Sequence, residues 1–353
     1  MYPASGVGRR PLSRQRAGSY SAIWVTIAEG STLAGLLERR QIWIYLGAVV
    51  LGFAVARLLP VTERWDASIN PAIAFMLFVT FLQVPIPELW RGFRSGRFLA
   101  ALLASNFLIL PLLVAGLLWF APDDPLVRLG VAMVLLTPCI DYVVTFCQLG
   151  RGDARSLLAA TPLLLVAQLL LLPIYLTVLL GEAAGALVSV GPFVEAFLGL
   201  ILAPLVLAAL VRHWAGRSAT GERLFGALGL LPVPATALVL LLVVAATTPL
   251  LDHALGPALA ALPLYIAFAV VAPALGWAVA RAARLSAPAS RAVAFSSATR
   301  NSLVVLPLAL AVPGGAPVLP AIIVAQTLVE LLAELCYIRV MPRLGGARAA
   351  RPA

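Results

Sequence analysis

The sequence predicts an all-α integral membrane protein. It would have ten transmembrane helices in two inverted five-helix repeats, with broken crossing helices in spans four and nine. Three observations carry that expectation. The 353 residues are 62% hydrophobic and 11% charged, whereas a soluble domain carries about 25% charged residues. Ten apolar runs each approach the roughly 20 residues that a bilayer helix needs. The arginines between those runs fall almost entirely on alternate loops, as the preference of cytoplasmic loops for positive charge requires.

The runs lie at 41–60, 67–84, 98–120, 127–149, 155–180, 192–212, 230–249, 257–281, 288–312 and 317–340. Residues 1–40 precede them as a basic cytoplasmic arm. Its apolar piece, 21–28, is short and lacks a small-residue cleavage pattern, so a cleaved signal peptide is not expected. Residues 31–40 read as a short interfacial helix. The transporter domain then covers 41–342, with repeat one at 41–180 and repeat two at 192–342. A basic cytoplasmic tail follows at 343–353. Every basic residue is Arg, and there is no Lys. With the N-terminus in the cytoplasm, 21 arginines fall on that side and three (Arg57, Arg64, Arg128) on the other. Both termini are therefore expected inside, in the plasma membrane. The net charge of +10 is spread over short loops rather than along one stripe, so nucleic acid is not an expected partner. Cys139, Cys147 and Cys336 lie within apolar runs and do not suggest a disulfide framework.

Span five contains Thr161-Pro162 and Val166-Ala167-Gln168; span ten contains Leu319-Pro320 and Val324-Ala325-Gln326, displaced by 158 residues. Pro111 in span three and Pro273 in span eight sit at similar depths. A unit of five spans repeated in tandem must invert in the membrane, which is the plan of many secondary transporters. The plainer reading is chance similarity between apolar segments. Span four reads Leu135-Leu136-Thr137-Pro138-Cys139-Ile140-Asp141-Tyr142. Span nine reads Phe295-Ser296-Ser297-Ala298-Thr299-Arg300-Asn301-Ser302, with Pro307 beyond it. Pro138 removes a backbone donor and interrupts its helix. Broken helices at mid-membrane expose helix ends where solutes bind.

Charges inside spans are costly and point to function. Away from the span ends they are Asp141, Arg300, Glu330 and Glu334. If the broken helices cross, Asp141 and Arg300 could meet, either as a switchable pair or as a structural salt bridge. Glu330 and Glu334 share a helix face with Gln326. They offer a proton or cation path, though the favoured reading of Glu334 is that it lies near the cytoplasmic end and faces Arg339 or water. Cys139 could be a soft ligand for trivalent arsenic or antimony, or a small buried hydrophobe. Cys147 and Cys336 read as packing residues. Asn301 is the best cavity amide, with Thr299 beside it. Asn70 and Gln83 are secondary candidates, while Gln168 and Asn106 read as amides that join helices. No phosphate loop occurs. His213 and His253 fall in loops without metal spacing. An enzyme, a resident cofactor, a metal site and an ATP-driven pump are therefore not expected.

The segments Leu136-Thr137-Pro138-Cys139, Gly152-Asp153, Ala298-Thr299-Arg300-Asn301-Ser302 and Pro307-Leu308-Ala309 resemble the bile acid:sodium symporter superfamily over residues 40–342. The likeness is closer to its arsenite permease branch. That resemblance implies a panel domain and a core domain with solute between them, and two broken helices crossing in the core. Cys139 matches the cysteine that arsenite permeases need for metalloid transport. The span-nine Glu of those permeases is absent, since the region reads Arg300-Asn301-Ser302-Leu303. Ser296 and Arg300 fall near the Glu and Gln that the bile-acid branch places around sodium, and an Arg there argues against that sodium site.

The expected function is a secondary active transporter that exports arsenite or antimonite by proton exchange. Cys139, Arg300, Asn301 and Pro138 would meet the solute. Asp141 and Glu330 would carry coupling, with Thr299 and Gln326 in support. The alternative is a sodium- or proton-coupled symporter of an organic anion, with Arg300 on the carboxylate. A non-transporting membrane scaffold is a third class. The expected partners are a small inorganic or organic solute, the lipid bilayer and, compatibly, further copies of the chain.

Overall fold

A computed structural model describes residues 33–59, 65–83, 96–140, 142–187, 198–248 and 251–345. Asp141, most of the basic arm and the end of the tail lie outside the described residues. Among those described, no strand forms and each expected apolar run is helical. The helices are α1 (Leu33–Leu58), α2 (Asp66–Leu82), α3 (Gly96–Leu118), α4 (Pro125–Leu135), α5 (Val143–Leu149), α6 (Ala154–Leu187) and α7 (Ala203–Ala215). They continue as α8 (Ala219–Leu228), α9 (Pro232–Thr247), α10 (Leu251–Ala282), α11 (Ala287–Ala298), α12 (Ser302–Leu310) and α13 (Val318–Val340).

Local chemistry sets the ends. Asp124 caps α4, accepting from the N–H groups of Leu126 (2.8 Å) and Val127 (3.2 Å), and Pro125 follows at the first helical position. Inside α3, Pro111 has no N–H for the ladder. The helix widens into a π turn at Ser105–Ile109, and the Phe107 carbonyl instead accepts from the Tyr175 hydroxyl of α6 at 2.5 Å.

α9 packs against α1 and α2, and α2 also packs on α7. A second group is formed by α10 against α11 and α13, with α13 also packed on α4 and α12. Contacts of α9 with α13 and of α2 with α12 join the two groups. Large apolar side chains such as Trp43, Val50, Leu112, Val178, Leu210 and Val270 point outward. An apolar exterior of this kind suits lipid rather than water. The protein is thus a helical membrane protein.

The ten-span count is not reached among the described residues, and several local expectations are corrected. Five helices are long and apolar enough to cross a membrane singly, and α8 with α9 makes a sixth as a pair bent by 46°. Ten such helices are not found among the described residues, in part because spans four and nine are each broken into two short pieces. The expected separate helix at 31–40 instead runs unbroken into span one, as α1. The loop after α7 holds α8, capped by Ser218. His213 lies in the last turn of α7 and His253 within α10, not in loops. Cys147 is buried as expected, but Cys336 is exposed.

Candidate functional site

Two helix breaks meet at the centre of the fold. Thr137 turns its hydroxyl back to the carbonyls of Met133 (3.1 Å) and Val134 (2.9 Å), and Pro138 cannot donate; together they end α4. Thr299 likewise donates back to the Phe295 carbonyl at 2.8 Å and ends α11. Asn301 starts α12, its side-chain oxygen accepting from the N–H of Val304 at 3.3 Å. The backbone between each pair of half-helices then crosses the other. Pro138 and Arg300 form an antiparallel bridge. The Cys139 N–H donates to the Thr299 carbonyl at 3.0 Å, and the Asn301 N–H to the Thr137 carbonyl at 2.8 Å. The crossing satisfies backbone groups that neither broken helix can satisfy alone, as a low-dielectric interior requires.

Charge placement follows the helix ends. Arg300 is fully buried. Its Nη2 donates to the Ser296 and Ser297 carbonyls, in the last turn of α11, and to the side-chain oxygen of Asn106 at 2.9 Å. Its Nη1 reaches the Leu135 carbonyl at the end of α4 at 3.4 Å. The guanidinium also lies 5.3 Å from the centre of the Phe268 ring. A cation thus joins the negative ends of two helix dipoles. The carboxylate of Glu330 takes the opposite station, just before α12. It accepts from the Arg300 backbone N–H (2.7 Å), the Gln326 amide (2.6 Å) and the Tyr142 hydroxyl (2.5 Å). Gln326 in turn accepts from Ser302.

Cys139, Thr299, Asn301, Gln326 and Glu330 are all buried around this crossing. Glu334 joins them. Rather than facing Arg339 or water, it is fully buried, with its Oε1 2.6 Å from Thr299 Oγ1, whose one proton is shared with the Phe295 carbonyl; Arg339 points elsewhere, to the Leu335 carbonyl. Asp141, expected to pair with Arg300, lies outside the described residues. Asn70 is on the exposed side of α2.

Beside the crossing is a cavity of about 40 Å³, lined by Gln41, Tyr45, Thr80, Gln83, Tyr142, Thr145, Pro232, Val233 and Thr236. It lies between α1, α2 and α9 on one side and the start of α5 on the other. Every described residue that lines it is uncharged. The Gln41 amide nitrogen is buried and makes no hydrogen bond among the described residues. Of the residues singled out in the sequence, only Gln83 reaches this cavity; Cys139, Arg300 and Asn301 line the crossing behind it.

The sequence pattern of the sodium bile acid symporter family matches residues 70–253, more than half of the chain. The chain belongs to this family. No curated protein matches it. Members of the sodium bile acid symporter family are transporters, which makes this chain a membrane transporter for a small solute. The matched segment contains Asn106, Cys139, Tyr142 and most of the cavity wall, while Arg300, Glu330 and Glu334 lie beyond it.

Asn106, read as an amide that joins helices, does join α3 to Ser296 and Arg300, while sequence reasoning passed over Tyr142 and Gln41. A signal for a place at the crossing existed for Asn106 and Tyr142. Pro111, five residues after Asn106, announces a disturbed helical turn. Tyr142 directly follows the charged residue of a broken span.

Proposed function

We propose that the chain is a secondary transporter that exports trivalent arsenic or antimony as the uncharged hydroxide, in exchange for protons, across the plasma membrane. The cavity carries this reading. Its 40 Å³ hold roughly three water-sized spheres, at about 10–15 Å³ each. That suits a central atom with three hydroxyl groups. Its uncharged, hydrogen-bonding walls and the unpartnered Gln41 nitrogen fit a neutral polyhydroxylated solute. Cys139 supplies a thiol at the crossing just behind it, and Glu330 and Asp141 supply the proton-binding groups. Arg300 favours protons over sodium as the coupling ion, because its guanidinium already fills a nest of four oxygens. The antiparallel crossing suits two inverted five-span repeats within ten spans, with both termini in the cytoplasm.

A second reading is sodium- or proton-coupled transport of an organic anion, which the family's name favours. It requires a cation free to meet a carboxylate. Both Nη atoms of Arg300 donate to backbone and amide oxygens, leaving only its buried Nε–H without a partner, which weakens this reading.

Expression in cells that lack arsenite export separates the two. Resistance to arsenite that is lost in Cys139→Ser supports the exporter with its thiol. Resistance retained in Cys139→Ser keeps the exporter and removes Cys139 as a ligand. Absence of resistance, with uptake of a bile acid that is lost in Arg300→Gln, overturns the proposal in favour of the second reading.

A further inference from the structure

Tyr142 is the one described side chain that both lines the cavity and touches a buried carboxylate. Its hydroxyl donates to Glu330 Oε1 at 2.5 Å and lies 3.3 Å from the Arg300 carbonyl. Its ring packs edge-on between Tyr45 (centroids 6.4 Å apart), itself part of the cavity wall, and Phe146 (5.9 Å). The contact with Tyr45 carries the ring across the gap between α1 and the crossing. Whatever fills the cavity presses on a side chain whose far end is bonded to Glu330.

From this geometry we infer that Tyr142 couples occupancy of the cavity to the proton on Glu330, as a positioning residue that offers or withdraws one of the carboxylate's three donors. The inference rests on the proton-exchange reading above and names the residue through which the exchange is enforced. With all three donors in place, Tyr142, Gln326 and the Arg300 N–H together satisfy an ionised carboxylate. A solute pressing on the Tyr142 ring holds its hydroxyl on Glu330 and keeps that carboxylate ionised. When the solute leaves and the ring turns away, Glu330 loses one donor and binds a proton from water, forming one O–H bond and leaving hydroxide; when solute returns, the proton leaves by the reverse step, so solute and proton exclude each other. Solute and proton thereby influence each other's binding reciprocally.

The charged and titratable groups facing Glu330 fit a local switch. Arg300 lies at the crossing with Cys139, and Glu334 and Tyr337 lie on α13 itself; Tyr337 is held to the Ala269 carbonyl of α10. α9 and α12, also packed on α13, carry no titratable residue, and α4 carries only Arg128 near its start, paired with Asp123 at 3.5 Å. α5 contributes Cys147, buried away from the cavity wall, and α10 contributes Tyr265, also buried.

The test is arsenite transport into everted membrane vesicles with and without an imposed proton gradient. Wild type accumulates arsenite several-fold when the gradient is present; if it does not, the proton-exchange reading fails before Tyr142 is at issue. In Tyr142→Phe, downhill movement is weakened by the loss of a wall hydroxyl but remains measurable, while the gradient no longer drives accumulation and the ratio falls to about one. Thr145→Val alters the same wall without touching Glu330, so it weakens arsenite binding while keeping gradient-driven accumulation. Accumulation by Tyr142→Phe equal to wild type overturns the inference. A measurement free of variants complements this. Purified wild type that binds arsenite, seen as a rise in Tm, must exchange protons with a weak buffer on binding; binding without proton exchange overturns the inference and leaves the solute assignment intact.

Discussion

Arg300 donates from Nη2 to the side-chain oxygen of Asn106 at 2.9 Å, although 194 residues separate them. The Asn106 nitrogen meanwhile donates to the Leu102 carbonyl and to Ser296 Oγ, each at 3.0 Å. One amide therefore ties the π turn of α3 to both the cation and the end of α11. Asn106→Leu keeps the branched shape and removes all three bonds, leaving a buried charge short of an acceptor. The expected cost is about 1–3 kcal/mol, read as a lower Tm in detergent, with transport reduced at least tenfold. Asn106→Gln, which can still accept, is expected to recover part of both.

Gln41 separates a solute contact from a packing residue. An unsatisfied buried donor is a liability to the fold, so Gln41→Leu is expected to leave Tm unchanged or slightly raised. If the amide meets solute, the same change removes a hydrogen bond of about 1 kcal/mol and raises KM for arsenite about fivefold. Stability and affinity moving in opposite directions mark the site. A fall in both would make Gln41 a structural residue.

Gly276 lets α10 lie close against α11. A Cβ at this position would fall on the Ser297 side chain and come within 3.1 Å of the Ala294 Cα. Ser297 bonds through its hydroxyl to Ser105 at 2.7 Å and through its carbonyl to Arg300. Gly276→Ala is therefore expected to displace α11 and to lower stability by about 1–3 kcal/mol. Thermal unfolding checks the first effect. Arsenite efflux, expected to fall about tenfold, checks whether the Arg300 nest is disturbed.

The same nest predicts indifference to sodium. Four oxygens surround the guanidinium, and a small cation could enter only by displacing a covalently attached one. Replacing external sodium with choline should leave arsenite efflux within twofold, while a protonophore should abolish it. Efflux that stops without sodium would refute this assignment.

The sequence was informative where one residue type breaks a local rule. Pro138 interrupts span four, and Arg300 cannot lie in span nine without a polar enclosure; both lie at the crossing. The shared face of Gln326, Glu330 and Glu334 also followed from helical spacing alone. What those residues face did not. Glu334 lies one turn beyond Glu330, and only the position of Thr299 across the gap decides that it is buried rather than wet. The cavity was illegible for a similar reason. Its lining comes from α1, α2, α5 and α9, each giving one or two uncharged polar residues that are unremarkable singly. Tyr142 illustrates the limit: its neighbour Asp141 drew attention through charge, while its own importance depends on reaching α13.

The bridge at Pro138 and Arg300 is fastened by main-chain atoms, through the N–H groups of Cys139 and Asn301 and the carbonyls of Thr299 and Thr137. Such a seam does not depend on the Cys139 side chain. Substitutions at 139 can retune chemical preference while the joint stays closed. A lineage built on this architecture is thus free to drift from one cargo to another by point changes, without having to reinvent the scaffold that moves it.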